Sequence, residues 1–244
     1  MRTVTLPFAF PLESAEILRR RSRILTRLCA QDEGFCAIPV QGIGEETLSG
    51  MLRLYDDIFL DGYLSRVMRC LRVTLSARLT SSAGKFLCTR GAFKQIKSAE
   101  IRMSGDFLTR LDEGPFQLNG LSVATPQDAF LVVFEHELCH ALETALYGQT
   151  GHSGRFLWLA KGLFGHTATR HSLPTRRQEA ARNGLLVGSR VCFSFKGSTV
   201  SGVVTYIGKQ ATVMVPDSRG EYRDRRGQRY AKYRVPLERL KKIP

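Results

Sequence analysis

The sequence predicts an α+β protein, a helical body built around a small sheet and followed by a small all-β module. Three observations predict it. Apolar residues recur every three or four positions through much of the stretch from Leu12 to Leu163, with only short strand-like runs between. Beyond Val191 the period changes to alternation. The charge divides near the same place: residues 1–174 carry 20 basic and 17 acidic groups, whereas residues 181–244 carry 14 and 4. With 244 residues, 43% of them hydrophobic, the chain can bury one large core or two smaller ones.

Composition also excludes some classes. No run approaches the ~18 apolar residues that a membrane-spanning helix needs, so no membrane partner is expected. The first apolar stretch is broken by Pro7 and Pro11 and passes into acidic residues, which makes a poor export signal. Six cysteines are scattered, and none forms a C-x-x-C pair, so no zinc ribbon is encoded and reduced thiols are expected. The expected location is the cytoplasm, with the nucleoid as its bacterial equivalent. A formal charge of +14 favours a polyanionic partner, nucleic acid before membrane.

The elements follow in order. Leu12 to Leu28 reads as a helix with Leu18 and Leu25 on its apolar side and Arg19, Arg20, Arg21, Arg23 and Arg27 along it. Those arginines read as a solvated face, or else as a face toward nucleic acid. Leu48, Leu52, Tyr55 and Phe59 mark a second helix that stops at Asp61-Gly62. Val73–Leu79, Lys85–Thr89 and Ala99–Ser104 read as strands, the first two separated by a turn at Ser81, Ser82 and Gly84. Thr125 is a natural N-cap, Pro126 suits the first helical position, and Asp128 stands three residues after the cap. That helix runs to a stop at Gly148, and Ser153 starts the next, with Phe156, Leu159, Ala160 and Leu163 on one side.

The long helix carries His136-Glu137-Leu138-Cys139-His140, an H-E-x-x-H motif. Residues four apart share a helical face, so both imidazoles can hold one metal ion, and zinc suits them. Glu137 stands beside the first ligand, placed to act as general base on an activated water without ligating. Placing these polar groups on a helix that faces a core would cost several kcal/mol of desolvation without a metal. A third ligand is required. Glu143 lies on the same helix face and cannot converge with both histidines. His152 follows the stop at Gly148, where the chain has turned; His166 and His171 are the other candidates. Cys139 reads as a small core residue rather than a thiolate ligand.

At this point the chain resembles the SprT-like zinc metalloprotease family. The resemblance is carried by the H-E-x-x-H, by Gly151-His152-Ser153-Gly154-Arg155-Phe156, and by Phe59-Leu60-Asp61-Gly62-Tyr63-Leu64. Leu54-Tyr55-Asp56, Ser82-Ala83-Gly84, Ala99 to Ser104, Phe156 to Trp158, Gly165 and Arg170-His171 extend it over about residues 48–173. It implies a zincin-like metallopeptidase domain with one catalytic Zn2+, held by His136, His140 and His152, and Glu137 as general base. It also implies protein substrates bound or crosslinked to DNA. The chain departs from the family in lacking a four-cysteine ribbon and in carrying Arg155 where relatives often have an acidic residue. The expected organisation is an N-terminal extension with a basic helix (1–45), the metallopeptidase domain (46–175), a linker (176–187) and a basic β-barrel domain (188–244).

The tail alternates apolar and polar residues in the manner of a small SH3-like or KOW-like barrel. Arg219, Arg223, Arg225, Arg226, Arg229, Lys232 and Arg234 interleave with Tyr222, Tyr230 and Tyr233. Cations neutralise phosphates and tyrosines stack on bases, so these residues are the candidate nucleic-acid contacts, with single-stranded or distorted DNA favoured over plain duplex. Two rivals stand beside DNA-associated proteolysis. One is a nucleic-acid-binding or transcription-associated factor with a structural or weakly active zinc site. The other is a peptidase steered by protein contacts.

Overall fold

The computed structural model describes residues 6–38, 40–79, 82–93, 95–111, 114–169 and 176–243. Ser81, Arg170, His171 and Pro174 therefore lie outside the described residues. The chain divides into two compact units, Met1–Leu173 and Pro174–Pro244, and is a mixed α+β protein.

The first unit begins with α1 (Ser14–Gln31) and the short α2 (Glu33–Cys36). Ile17, Arg21, Ile24 and Leu28 recur at helical spacing along α1 and are buried. Asp32 accepts the N–H of Phe35 and so caps α2. α3 (Glu45–Leu60) buries Leu48, Met51, Tyr55 and Phe59, and ends at Asp61 in the left-handed region. Asp56 then accepts the N–H groups of Leu64 and Ser65 at the start of α4 (Tyr63–Val67). Residues 1–45, expected as an extension, instead supply Phe8, Ile24, Leu28 and Phe35 to the same core as α3.

A three-stranded mixed sheet follows: β1 (Leu71–Ser76), β2 (Gly84–Arg90) and β3 (Ile96–Ser104), ordered β1-β3-β2. β3 is central, parallel to β1 and antiparallel to β2, so β2 lies at an edge. Ser104 caps the four-residue α5 (Gly105–Leu108). A hairpin, β4 (Phe116–Leu118) and β5 (Leu121–Val123), turns through Asn119 and Gly120, both at positive φ. That is the demand of a two-residue turn, and the Asn-Gly pair meets it.

α6 (Pro126–Tyr147) starts where its cap places it: Thr125 Oγ1 accepts the N–H of Asp128, and Gly148 ends the helix at φ 73°. Every residue from Ala129 to Cys139 is buried, because α6 packs against β2 and β3, against α1, and against α7 (Gly154–Phe164).

The second unit contains α8 (Arg176–Arg182) and a six-stranded antiparallel sheet. Its strands are β6 (Arg190–Phe195), β7 (Ser198–Ile207), β8 (Gln210–Pro216), β9 (Tyr222–Arg223), β10 (Arg229–Pro236) and β11 (Lys241–Lys242), ordered β11-β6-β7-β8-β10-β9. Val191, Phe193, Val204, Val213 and Val235 form its core, joined by Ala180 of α8 and by Leu185. The stretch 176–187, expected as a linker, thus carries a helix and two core residues. Gly220 lets the loop before β9 lie on β10, since a Cβ there would fall 2.1 Å from the Tyr230 carbonyl carbon.

Two interactions hold the first unit in ways that can be measured. Arg21 of α1 and Glu135 of α6 pair through two hydrogen bonds of 2.8 and 2.7 Å, both side chains buried. Removing one partner leaves an uncompensated buried charge, so Arg21→Met will cost about 3–5 kcal/mol in urea unfolding, and the double variant with Glu135→Leu will recover much of it. On β3, Glu100 accepts from Arg102 (2.9 Å) and Thr74 (2.6 Å), and these bonds hold its carboxyl down at about 2. A depressed carboxyl contributes stability above its unfolded value, and that stability is lost as pH falls through the folded value. Glu100→Gln will therefore lower stability by about 1 kcal/mol at neutral pH. Acid titration of both proteins will show the deficit shrinking from near pH 4.5 down to about 2.

Candidate metal centre

The site is assembled on α6 and the loop that follows it. His136 and His140 share one face of the helix. Gly148, in the left-handed region, turns the chain, and residues 149–153 return toward that face. Glu143 fixes the return: its Oε2 accepts the Gly151 N–H at 2.9 Å and its Oε1 accepts the Ser153 hydroxyl at 3.2 Å. Between those anchors His152 is held with its Nε2 3.0 Å from Nε2 of His136. The ligand atoms of His136, His140 and His152 all lie within 4.8 Å of one another, and among the described residues no other such group occurs.

The arrangement fits a metal ion. Zinc–nitrogen bonds of about 2.0–2.1 Å place two ligating nitrogens roughly 3.3 Å apart, close to the observed separation. His140 Nδ1 pairs with Thr150 Oγ1 at 2.7 Å, which leaves Nε2 for ligation and fixes the ring plane. Burial, with a smaller contribution from His152, pushes His140 down to about 4, so it is the neutral ligand form at pH 7. The buried Phe156 ring packs on all three imidazoles, with centroid distances of 4.9, 4.5 and 5.0 Å, and forms the apolar wall of the cluster.

Glu137 is buried between α6 and the start of β2. Burial pushes its carboxyl up to about 7, opposed by the Phe86 N–H that it accepts. Gly84 makes this possible: a Cβ there would lie 2.7 Å from Glu137 Cγ and 3.0 Å from Oε1. A carboxyl near neutrality can both take and return a proton, which a fully ionised surface glutamate does poorly.

Behind the histidines lies a second polar cluster. Glu135 accepts from Arg21, from the Tyr55 hydroxyl at 2.8 Å, and pairs with His166 Nε2 at 3.0 Å. Burial alone would raise its carboxyl, but Arg21 and His166 outweigh it and hold the group below the usual carboxylate range. His166, one candidate for the third ligand, is thus occupied here, with Asn119 Nδ2 3.4 Å from its other nitrogen. His171, the other, lies outside the described residues. Cys139 is buried and its thiol is pushed well up by burial, as expected of a core residue. Arg155 lies over the Tyr147 ring at 5.0 Å. The helix-borne histidines were readable from spacing. Thr150, Glu143 and the Glu135 cluster were not, and the only signal for Glu143 was its i+3 position after His140.

The tail residues separate into different places. Arg223, Arg225, Arg226, Lys232 and Arg234 are exposed, and Lys232 Nζ lies 5.5 Å from the Tyr222 ring centre. Arg229 donates to the Gly220 carbonyl and Tyr230 to Asp224. Tyr233 turns inward, with Phe193 and Phe195 at 5.4 and 5.1 Å, and is a packing residue. The exposed tyrosines are Tyr206 and Tyr222.

No family model matches the chain, and no curated protein matches it. The resemblance to the SprT-like family rests on the motifs quoted above.

The ligand assignment has a direct check. Alanine at His136, His140 or His152 will abolish stoichiometric zinc uptake in a competition titration with a chromophoric chelator. Glu143→Gln, which frees the His152 loop, will weaken zinc about 10–100-fold. His166→Gln will lower the unfolding midpoint while leaving zinc affinity within a few-fold.

Proposed function

We propose that the chain is a zinc-dependent endopeptidase of SprT-like, zincin-type architecture, acting on proteins bound or crosslinked to DNA and recruited by its basic, SH3-like tail. The observation that carries the enzymatic part is the pairing of three convergent imidazoles with a buried glutamate, Glu137, on the same helix. Three protein donors among the described residues, where a structural zinc site has four, leave a coordination position for water or substrate.

His136, His140 and His152 would hold the ion, which supplies Lewis acidity toward a peptide carbonyl and toward water. The remaining work falls to the chain. Glu137 accepts a proton from the attacking water and delivers it to the departing amine nitrogen, a two-way role that suits its raised carboxyl. Gly84 keeps the carboxylate against β2, and the Phe86 N–H orients it. Because Phe86 directs its N–H away from β3, the alternation of the ladder turns the Cys88 peptide groups outward as well. An extended substrate can add to that edge as a further strand, which sets its backbone beside Glu137. Phe156 and the buried face of α6 wall the histidines on one side, while His152 is open to solvent.

The DNA part is supported by charge. Residues 181–244 carry 14 basic against 4 acidic groups, and the described arginines of the tail stand mostly exposed.

The test uses a DNA-bound protein substrate incubated with wild type and with Glu137→Gln. Wild type will cleave in the presence of DNA. Glu137→Gln will retain zinc and lose at least 100-fold of the rate. Zinc-loaded wild type that leaves every substrate intact would sink the enzymatic reading.

A further inference from the structure

The second unit has an inner and an outer sheet face, and the outer one is unusual. Along β10 the side chains alternate: Tyr233 and Val235 pack with the core, while Lys232 and Arg234 are exposed on the other side. The strand register carries that outer face across the sheet. Arg234 pairs with Thr212 of β8, and Thr212 pairs with Tyr206 of β7. One row below, Lys232 pairs with Met214 and Met214 with Val203. Tyr222 of β9 pairs with Tyr230 and lies beneath the Lys232 ammonium.

Tyr206 is 59% exposed and Tyr222 45% exposed, on an unpaired sheet face. Each ring offers a flat, solvent-facing surface on which a base can stack. Cations accompany both rings: Arg234 shares a row with Tyr206 across Thr212, and Lys232 lies over Tyr222. Arg234, Lys209 and Tyr206 line one open depression of about 620 Å³, with Glu238 at its rim. Tyr222, Lys232 and Arg219 line a second of about 430 Å³, which Ala231 and Tyr233 also border and whose acidic residues are Asp217 and Glu221. Rings and cations gathered on one face can serve the bases and phosphates of an unpaired strand. Duplex DNA hides its base faces and could use only the cations.

We infer that this outer face of β7, β8, β10 and β9 is a platform for single-stranded DNA, with Tyr206 and Tyr222 stacking on bases and Arg234 and Lys232 contacting phosphates. The assignment rests on the DNA-recruitment reading above and names its surface and strand type. It sets aside Tyr233, which is packed inward, keeps Tyr222, and adds Tyr206, whose exposure the fold reveals.

Fluorescence anisotropy of the full chain, carrying Glu137→Gln to prevent self-cleavage, tests it with a labelled oligothymidylate of roughly 12 nucleotides. Tyr206→Ala and Tyr222→Ala, each with an unchanged unfolding midpoint, will each weaken binding about tenfold. Arg234→Ala will lower the salt slope by about 0.7, whereas Lys242→Ala, the same charge change on β11 at the far edge, will bind as the parent does apart from a small nonspecific loss. Binding that persists unchanged in both tyrosine variants overturns the platform but leaves DNA recruitment standing. Tighter binding of a duplex, or of the equivalent RNA, overturns the strand assignment. Absence of any DNA binding by the parent overturns the recruitment reading and the platform with it.

Discussion

The buried pairing of Arg21 with Glu135 governs how the first unit is put together. A carboxylate on the fully buried side of α6 is untenable without a cation. The guanidinium that meets it comes from α1, 114 residues earlier in the chain. Its planar fork satisfies both carboxylate oxygens and still reaches the Phe164 carbonyl at the end of α7. One side chain therefore joins α1, α6 and the close of α7. Tyr55 adds α3, and His166 the segment after α7. Replaced by hydrocarbon, the cluster would lose little stability. What it supplies is registry, since the Arg21 fork meets both Glu135 oxygens only where α1 and α6 pack as they do.

That registry bears on the neighbouring metal centre because the two share a helix. Glu135, Glu137 and Glu143 lie within three turns of α6, and their surroundings give them three different tasks. Glu135 faces Arg21 and stays ionised. Glu137 faces apolar atoms and one N–H, and is pushed to about 7. Glu143 faces the returning loop and fixes its backbone. The difference lies in partner and burial, not residue type, which is how one helix can carry both a buried anion and a carboxyl pushed upward.

The same facts explain what could be read in advance. The ends of α6 were legible because Thr125, Pro126 and Gly148 act locally through their own backbone. His136 and His140 were legible because helical spacing alone makes them neighbours. The Asn119-Gly120 turn was equally local, and its two flanking strands were simply too short to register as a pattern. Arg21 was illegible for the opposite reason. It sits among four other arginines in a run that reads as solvated, and only the packing of α1 on α6 selects the one that turns inward. His166 and His152 are chemically identical, and the sequence offers both. The fold separates them by giving one an anion and the other a fixed loop beside two imidazoles.

In the tail, period was legible and phase was not. Alternation identifies a strand with two faces, but a shift of one residue exchanges them. Tyr230 and Tyr233 are three apart on β10, so they cannot share a face, and any reading that uses both as exposed stacking groups contradicts the pleat. Register resolves the choice. Val213 and Val235 fix the inner side, so Lys232, Arg234 and Thr212 must be outer, and Tyr206 joins them through its pairing with Thr212. The β7 irregularity between Val204 and Tyr206 is what brings a tyrosine to that row, because strict alternation from the buried Val204 would place Tyr206 inside. A bulge thus changes which aromatic the sheet presents, moving the candidate stacking surface from the residues richest in charge to the ones the pleat exposes.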